Sequence, residues 1–154
     1  IIAAGSIVDG AGMAAAFALG ASAVYMGTRF IASKEAEITE EYKKAITRAV
    51  SEDIVNTDRV DGFPGNFIRT KELEAIGLEK GLIEEIITKN KRIKRFVSLS
   101  RAARSLFGKM DSKVSYKTVF SAGHGVGLID EVLSIQEIMK KTVREYKEIK
   151  AKLP

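Results

Sequence analysis

Two glycine-centred turns near the start of the chain restrict its architecture more than any other feature. The first runs Ala4-Gly5-Ser6-Ile7-Val8-Asp9-Gly10-Ala11-Gly12, the second Tyr25-Met26-Gly27-Thr28-Arg29-Phe30. Each follows a short apolar run, and an alanine-rich stretch of helical composition lies between them. Short, nearly all-apolar strands separated by one helix predict a β–α–β unit in a parallel sheet. Glycine at the strand ends leaves backbone N–H groups uncovered, and a phosphate dianion is bound by such groups.

The chain has 154 residues, 45% of them hydrophobic and 29% charged, which is enough for one domain with a real core and is not the composition of a disordered chain. No apolar run reaches the roughly 18 residues of a spanning helix, because the segment from Ala11 to Met26 is shorter and Gly20 interrupts it. Nothing resembles a signal peptide. The absence of cysteine excludes disulfides, thiolate zinc sites and cysteine nucleophiles, and fits a cytoplasmic protein. A formal charge of +5 permits anionic ligands without requiring nucleic acid, and with 7% aromatics and no Trp there is little to stack bases on. The chain does not open on Met, and Ile1-Ile2-Ala3-Ala4 reads as a strand already under way. A lone strand leaves its backbone groups unsatisfied, so the expectation is the C-terminal part of a longer protein.

Along the chain, Ile1–Ala4 is expected as a short buried strand. A helix over about residues 11–19 is expected next, closed by Gly20, followed by a strand over Ala23–Met26. Thr39 can cap the next helix, with Glu40 and Glu41 in its first turn and Tyr42, Ala45, Ile46, Ala49 and Val50 as its buried stripe. Ile54-Val55 and Phe67-Ile68 read as short strands around the turn residues Gly62-Phe63-Pro64-Gly65-Asn66. Residues from about Thr70 to Met110 read as helical, with one stripe through Leu82, Ile83, Ile86, Ile87 and Ile93 and another through Leu99, Ala103, Leu106, Phe107 and Met110. A third glycine-rich loop, Ala122-Gly123-His124-Gly125-Val126-Gly127-Leu128-Ile129, follows Val119-Phe120. Ser134 and Glu137 form a capping box for the last helix, whose expected buried face is Ile135, Ile138, Met139, Val143, Tyr146 and Ile149.

The first turn offers phosphate the N–H groups of Gly5 and Ser6 and the following helix start. Its spacing is not the GxGxxG of a dinucleotide fold, and the plain alternative is a βα turn in which glycine only relieves strain. In the second turn Gly27 admits a close backbone approach and the Thr28 hydroxyl can donate a further bond. Two such turns, one βα unit apart, can grip one phosphate from both sides, as the last two loops of a (β/α)8 barrel often do. Arg29 could add charge, although an arginine at a strand end more often serves a structural pair. His124, the single histidine, has no orienting partner in the sequence that would make it a general base, so a structural or ligand-lining role is favoured. The run Lys89-Asn90-Lys91-Arg92-Ile93-Lys94-Arg95 reads as a solvated helical face, and Glu35, Glu37, Glu40 and Glu41 as helix-start residues without a metal-ligand pattern.

The stretch from Ala3 to Ala21, followed by Met26-Gly27-Thr28-Arg29-Phe30, resembles the FMN-phosphate region of the nitronate monooxygenase family, formerly called 2-nitropropane dioxygenase. That family is closely similar to the FabK type of flavin-dependent enoyl-acyl-carrier-protein reductase. The segment from Ser121 to Ile129 resembles the family's C-terminal glycine-rich motif. The resemblance covers residues 1–50 and 117–154 and extends to 51–116 only in layout. It implies an α/β fold: the last two strands of a TIM (β/α)8 barrel, with a small, mostly helical appended domain. Residues 1–50 would be strands seven and eight and their helices, 51–116 a helical substrate or cap domain, and 117–154 the loop and helix that return to the barrel. Gly5, Ser6, Gly27 and Thr28 would contact the FMN phosphate, with Tyr25 and Met26 near the flavin. Where the family usually carries Gly, Gln and Gln, this chain has Ser6, Tyr25 and His124. The family's catalytic histidine lies upstream of these residues, and no metal is implied.

The implied activity is FMN-dependent oxidation of nitronates with O2 by a cytoplasmic flavoprotein acting on a small-molecule substrate, without nucleic acid or membrane. Its partner would be the missing N-terminal part of the same barrel, and a homodimer is compatible with it. The alternatives are an FMN- and NAD(P)H-dependent enoyl-acyl-carrier-protein reductase and, in another class, a non-catalytic binding fragment.

Overall fold

A computed structural model describes residues 1–60, 63–76 and 119–152. The chain divides into two units, one formed by residues 1–54 and 122–154 and the other by 55–121. The expected stripes of residues 82–110 and the basic run 89–95 lie outside the described residues.

The first unit opens with the β–α–β arrangement read from the sequence. Strand β1 (Ile2–Ala4) pairs in parallel with β2 (Ala23–Tyr25), in the register Ile2 to Ala23, Ala3 to Val24 and Ala4 to Tyr25. Helix α1 (Gly10–Ala18) crosses between them. Asp9 caps it, its carboxylate accepting from the Gly12 N–H at 2.8 Å. Gly20 ends it at φ +93°, the left-handed position after a helix C-cap, where a side chain would be strained. The expectation of a buried first strand is corrected. Ile1 is 91% exposed and Ile2 69%, because β2 and α1 cover only part of an apolar strand suited to burial on both faces.

Helix α2 (Thr28–Ile31) is a single turn after β2, and α3 (Glu40–Arg48) follows with Thr39 as its cap, the hydroxyl accepting from the Tyr42 N–H. The α3 stripe departs from expectation at two places. The backbone leaves the helix at Ala49, so Val50 is half exposed, and Lys43 is buried beside Ile46. The lysine is satisfied there because its ammonium donates to the Lys34 carbonyl at 3.2 Å and pairs with Glu40 at 3.3 Å.

The last helix, α5 (Ile135–Lys150), begins at the expected capping box, Ser134 Oγ accepting from the Glu137 N–H and the Glu137 carboxylate from the Ser134 N–H. A further carboxylate reaches the same end from far back in the chain, Glu35 accepting the Ile135 N–H. Ser33 bridges to Leu133 and the Lys34 N–H donates to the Leu133 carbonyl, which ties the start of α5 to the segment after α2.

The inward face of α5 is also corrected. Ile138 and Thr142 are buried, whereas Ile135, Met139 and Val143 are exposed. The reason is the partner. Helix α1 presents glycine and alanine, so α5 lies backbone-close on it. A Cβ on Gly10 would stand 2.4 Å from Tyr146 N and 2.6 Å from the Thr142 carbonyl oxygen. Phe17 and Tyr146 close the contact edge to face, with ring centroids 5.4 Å apart.

In the second unit β3 (Ile54–Thr57), which starts on the last residue of the first unit, pairs with β4 (Gly65–Ile68). The Asn56 side-chain amide donates to that of Asn66 at 2.8 Å. Helix α4 (Lys71–Ile76) is capped by Thr70. Phe67, Leu73 and Val119 form the buried cluster, with Val55 and Val60 packed against it. Ile68 donates its N–H to the Phe120 carbonyl, and Phe67 bridges antiparallel to Ser121.

Candidate functional site

Because β1 and β2 are parallel and paired Ala4 to Tyr25, the turns that follow them leave the sheet side by side. The structure thus brings Gly5 and Ser6 next to Met26, Gly27 and Thr28. Gly5 has φ +101° and Ser6 φ +54°, two successive left-handed residues, and Ser6 is the one non-glycine residue with positive φ among those described. A non-glycine residue held there costs of order 1 kcal/mol and persists only where its surroundings impose it. Gly5, Ser6 and Gly27 are exposed, and a Cβ built on Gly5 or Gly27 meets nothing within 4 Å. Among the described residues, no hydrogen bond to another loop or helix uses the N–H groups of Ser6, Gly27 or Thr28. The space that a side chain would take at Gly5 and Gly27 is open. Tyr25, at the end of β2, is 67% exposed, and Met26 is half-buried.

The helix start does not join this group. The Gly10 N–H donates to Glu145 Oε2 at 3.0 Å and the Gly12 N–H to Asp9 Oδ1 at 2.8 Å, so two carboxylates already occupy the N-terminus of α1. Arg29 is likewise structural. It is buried, and both terminal nitrogens donate to the Glu131 carbonyl at 3.0 Å. Burial pulls its pKa down, against the opposing pull of Glu131 and Asp130. Behind Val8 a polar cavity of about 130 Å³, lined by Asp9, Arg29, Asp130, Lys141, Thr142 and Glu145, has room for a few waters and not for a flavin.

The third glycine-rich loop forms a 3-10 turn over His124–Leu128. His124 is exposed at its start. Its neighbour Gly123 donates its N–H to Thr28 Oγ1 at 3.0 Å. A Cβ on Gly125 would stand 2.9 Å from Val8 Cγ1, 3.1 Å from the Ser6 carbonyl oxygen and 3.2 Å from Ser6 Cα. The loop therefore touches both turns. Sequence reasoning assigned these glycines to a motif without their contacts. The spacing of alternate glycines signals close packing, but the packed residues lie about a hundred positions earlier, where local pattern cannot reach. Among the described residues no group of His, Asp and Glu side chains could hold a metal, and no helix is long and apolar enough to cross a membrane.

Parallel strands joined by a helix make this an α/β unit, and α/β folds generally seat their ligands beyond the carboxyl ends of such strands. The sequence model of the nitronate monooxygenase family matches residues 1–145, and the chain belongs to that family. Nitronate monooxygenase npaC of Metarhizium robertsii is 54% identical over 59 residues, covering 38% of this chain and 16% of that protein. A (3aS,4S,5R,7aS)-5-hydroxy-7a-methyl-1-oxo-octahydro-1H-indene-4-carboxyl-CoA dehydrogenase of Mycobacterium tuberculosis is 40% identical over 76 residues, 49% of this chain and 21% of that one. Among solved structures, FabK from Thermotoga maritima superposes with a TM-score of 0.70 at 37% identity, covering 98% of this chain and 45% of that one. The chain thus spans less than half the length of each of these three proteins.

Proposed function

We propose that the protein is an FMN-dependent oxidoreductase of the cytosol that oxidises nitronates with O2, and that this chain supplies its phosphate anchor. The observation that carries the reading is the pair of adjacent parallel strand ends, with open space before Gly5 and Gly27. A Cβ at either position would project into the volume that a phosphate oxygen needs, and glycine at both leaves it free. The N–H groups of Gly5, Ser6, Gly27 and Thr28 and the Thr28 hydroxyl would hold the phosphate, with Tyr25 and Met26 beside the ring system. When bound, FMN carries the electrons of the reaction. The residues described in this chain bind and orient it.

In this reading β1 and β2 are strands seven and eight of a TIM barrel. Two strands cannot close a barrel, and the apolar side chains of Ile1 and Ile2 stand exposed, as expected of surface that the remaining strands would cover. The family assignment and the 54% identity to npaC favour nitronate oxidation. The fit to FabK across 98% of the chain supports a second reading, an FMN- and NAD(P)H-dependent enoyl-thioester reductase. Assays on the full-length protein separate them. Nitronate-dependent O2 uptake is the expected result. Enoyl-thioester-dependent NAD(P)H oxidation without it would transfer the protein to the second reading, and neither activity with FMN bound would leave a non-catalytic binding module.

A further inference from the structure

We propose that the C-terminal glycine loop is a brace that positions the phosphate cradle, with Gly123 and Gly125 as its two points of contact. The proposal rests on the phosphate reading above and extends it to residues that touch no ligand.

At the first contact the Gly123 N–H donates to Thr28 Oγ1 at 3.0 Å. A threonine hydroxyl has one proton to give and two lone pairs to accept with. Once an acceptor site is taken by a backbone amide, rotation about the C–O bond is restricted and the proton points away from Gly123. The bond thus turns Thr28 into an oriented donor. At the second contact Gly125 lies against Ser6 and Val8 so closely that no side chain fits between them, with Ser6 backbone atoms at 3.1 and 3.2 Å from a built Cβ. Ser6 is the residue whose left-handed backbone needs an external constraint. Gly125 and Val126 are buried, Val126 completely, so the loop is anchored from behind. One short segment thereby fixes the backbone of the first turn and the hydroxyl of the second. Gly127 supplies the contrast, since the nearest atom to its built Cβ is Ser51 N at an ordinary 3.5 Å.

The test compares dissociation constants for FMN and for riboflavin, which lacks the phosphate, on the apo form of the full-length protein. The wild type is expected to prefer FMN by roughly a hundredfold, from several charge-assisted hydrogen bonds. Gly125→Ala should reduce that preference about tenfold, the equivalent of one such bond. Gly123→Pro removes the N–H at a φ of −86° and sets a ring carbon in its place against Thr28 Oγ1, so the hydroxyl loses both its donor and its position, and the preference should fall likewise. It decides the matter if Gly125→Ala does not fold. Gly127→Ala should keep the wild-type preference. An unchanged preference in the Gly125 and Gly123 variants, or a loss shared equally by FMN and riboflavin, overturns the brace and leaves the phosphate reading standing. A wild type that binds both flavins alike overturns the phosphate reading itself.

Discussion

Gly10 donates its backbone N–H to Glu145 Oε2 at 3.0 Å, across 135 positions of sequence. The same glycine lies so close to Thr142 and Tyr146 that only a hydrogen fits on its inner side. Gly10→Ala should therefore destabilise the full-length protein by about 3 kcal/mol, since the obstructing atoms are two backbone atoms and the Glu145 Cβ, none of which can swing aside. Gly127→Ala, with its ordinary contacts, should stay within about 0.5 kcal/mol. Urea unfolding of the two variants measures the difference, and equal stabilities would contradict the close packing of α1 on α5.

Gly27 predicts the opposite pattern. Its φ is −100° and a built Cβ meets nothing, so the fold accepts a side chain. Gly27→Val should cost less than about 1 kcal/mol of stability, the scale of a changed N-cap residue, while lowering FMN occupancy of the purified enzyme. Flavin absorbance per protein gives the occupancy, and full occupancy would remove Gly27 from the site.

Arg29 is expected to matter for stability alone. Both of its terminal nitrogens are engaged by the Glu131 carbonyl. Arg29→Lys keeps the charge and one of the two bonds, for a loss of about 1–2 kcal/mol. The ratio of FMN to riboflavin affinity should not move. A fall in that ratio would make Arg29 a phosphate ligand.

The α5 cap sets an acid limit. The Glu137 carboxylate accepts from the Ser134 N–H, from the Ser134 hydroxyl and from Lys34, which lower its pKa from 4.5 to about 2. A carboxyl depressed in the folded state contributes its stability above the unfolded pKa and loses it as pH falls through the folded one. The contribution should therefore be complete above about pH 4.5 and fade towards pH 2. Glu137→Gln should be less stable than the wild type at neutral pH, and the gap should close across that window. Thermal midpoints of the two proteins between pH 6 and pH 2 provide the check (if the gap is constant, the cap is not titrating).

What could be read from the sequence was local. The β1–α1–β2 order follows from apolar strands and a short alanine helix. Thr39 and the Ser134–Glu137 pair mark their helix starts because a cap bonds within three residues. The inward face of α5 could not be read the same way. Hydrophobicity gathers Ile135, Ile138, Met139, Val143, Tyr146 and Ile149 into one face and gives Thr142 no place on it. The fold keeps Ile138 inward, adds Thr142 and leaves Ile135, Met139 and Val143 exposed, because α1 is narrow at Gly10 and welcomes the polar Thr142 and Glu145 where backbone meets backbone. Lys43 escaped notice for a related reason, since a carbonyl nine residues earlier satisfies it. At the site, the two turns were evident as glycine chemistry. Their support from Gly123 and Gly125 was not, because it spans most of the chain.

Glu145 reaches Gly10, the Glu131 carbonyl receives Arg29, and Gly123 reaches Thr28. Contacts of such long sequence separation repay their loop entropy only once both partners exist. On the ribosome, then, α1 emerges before α5 and waits. Until residues 123–145 have been translated, its glycine edge faces water and Ser6 has nothing to hold its backbone in place. The two turns gain their support only when that later stretch has followed them out.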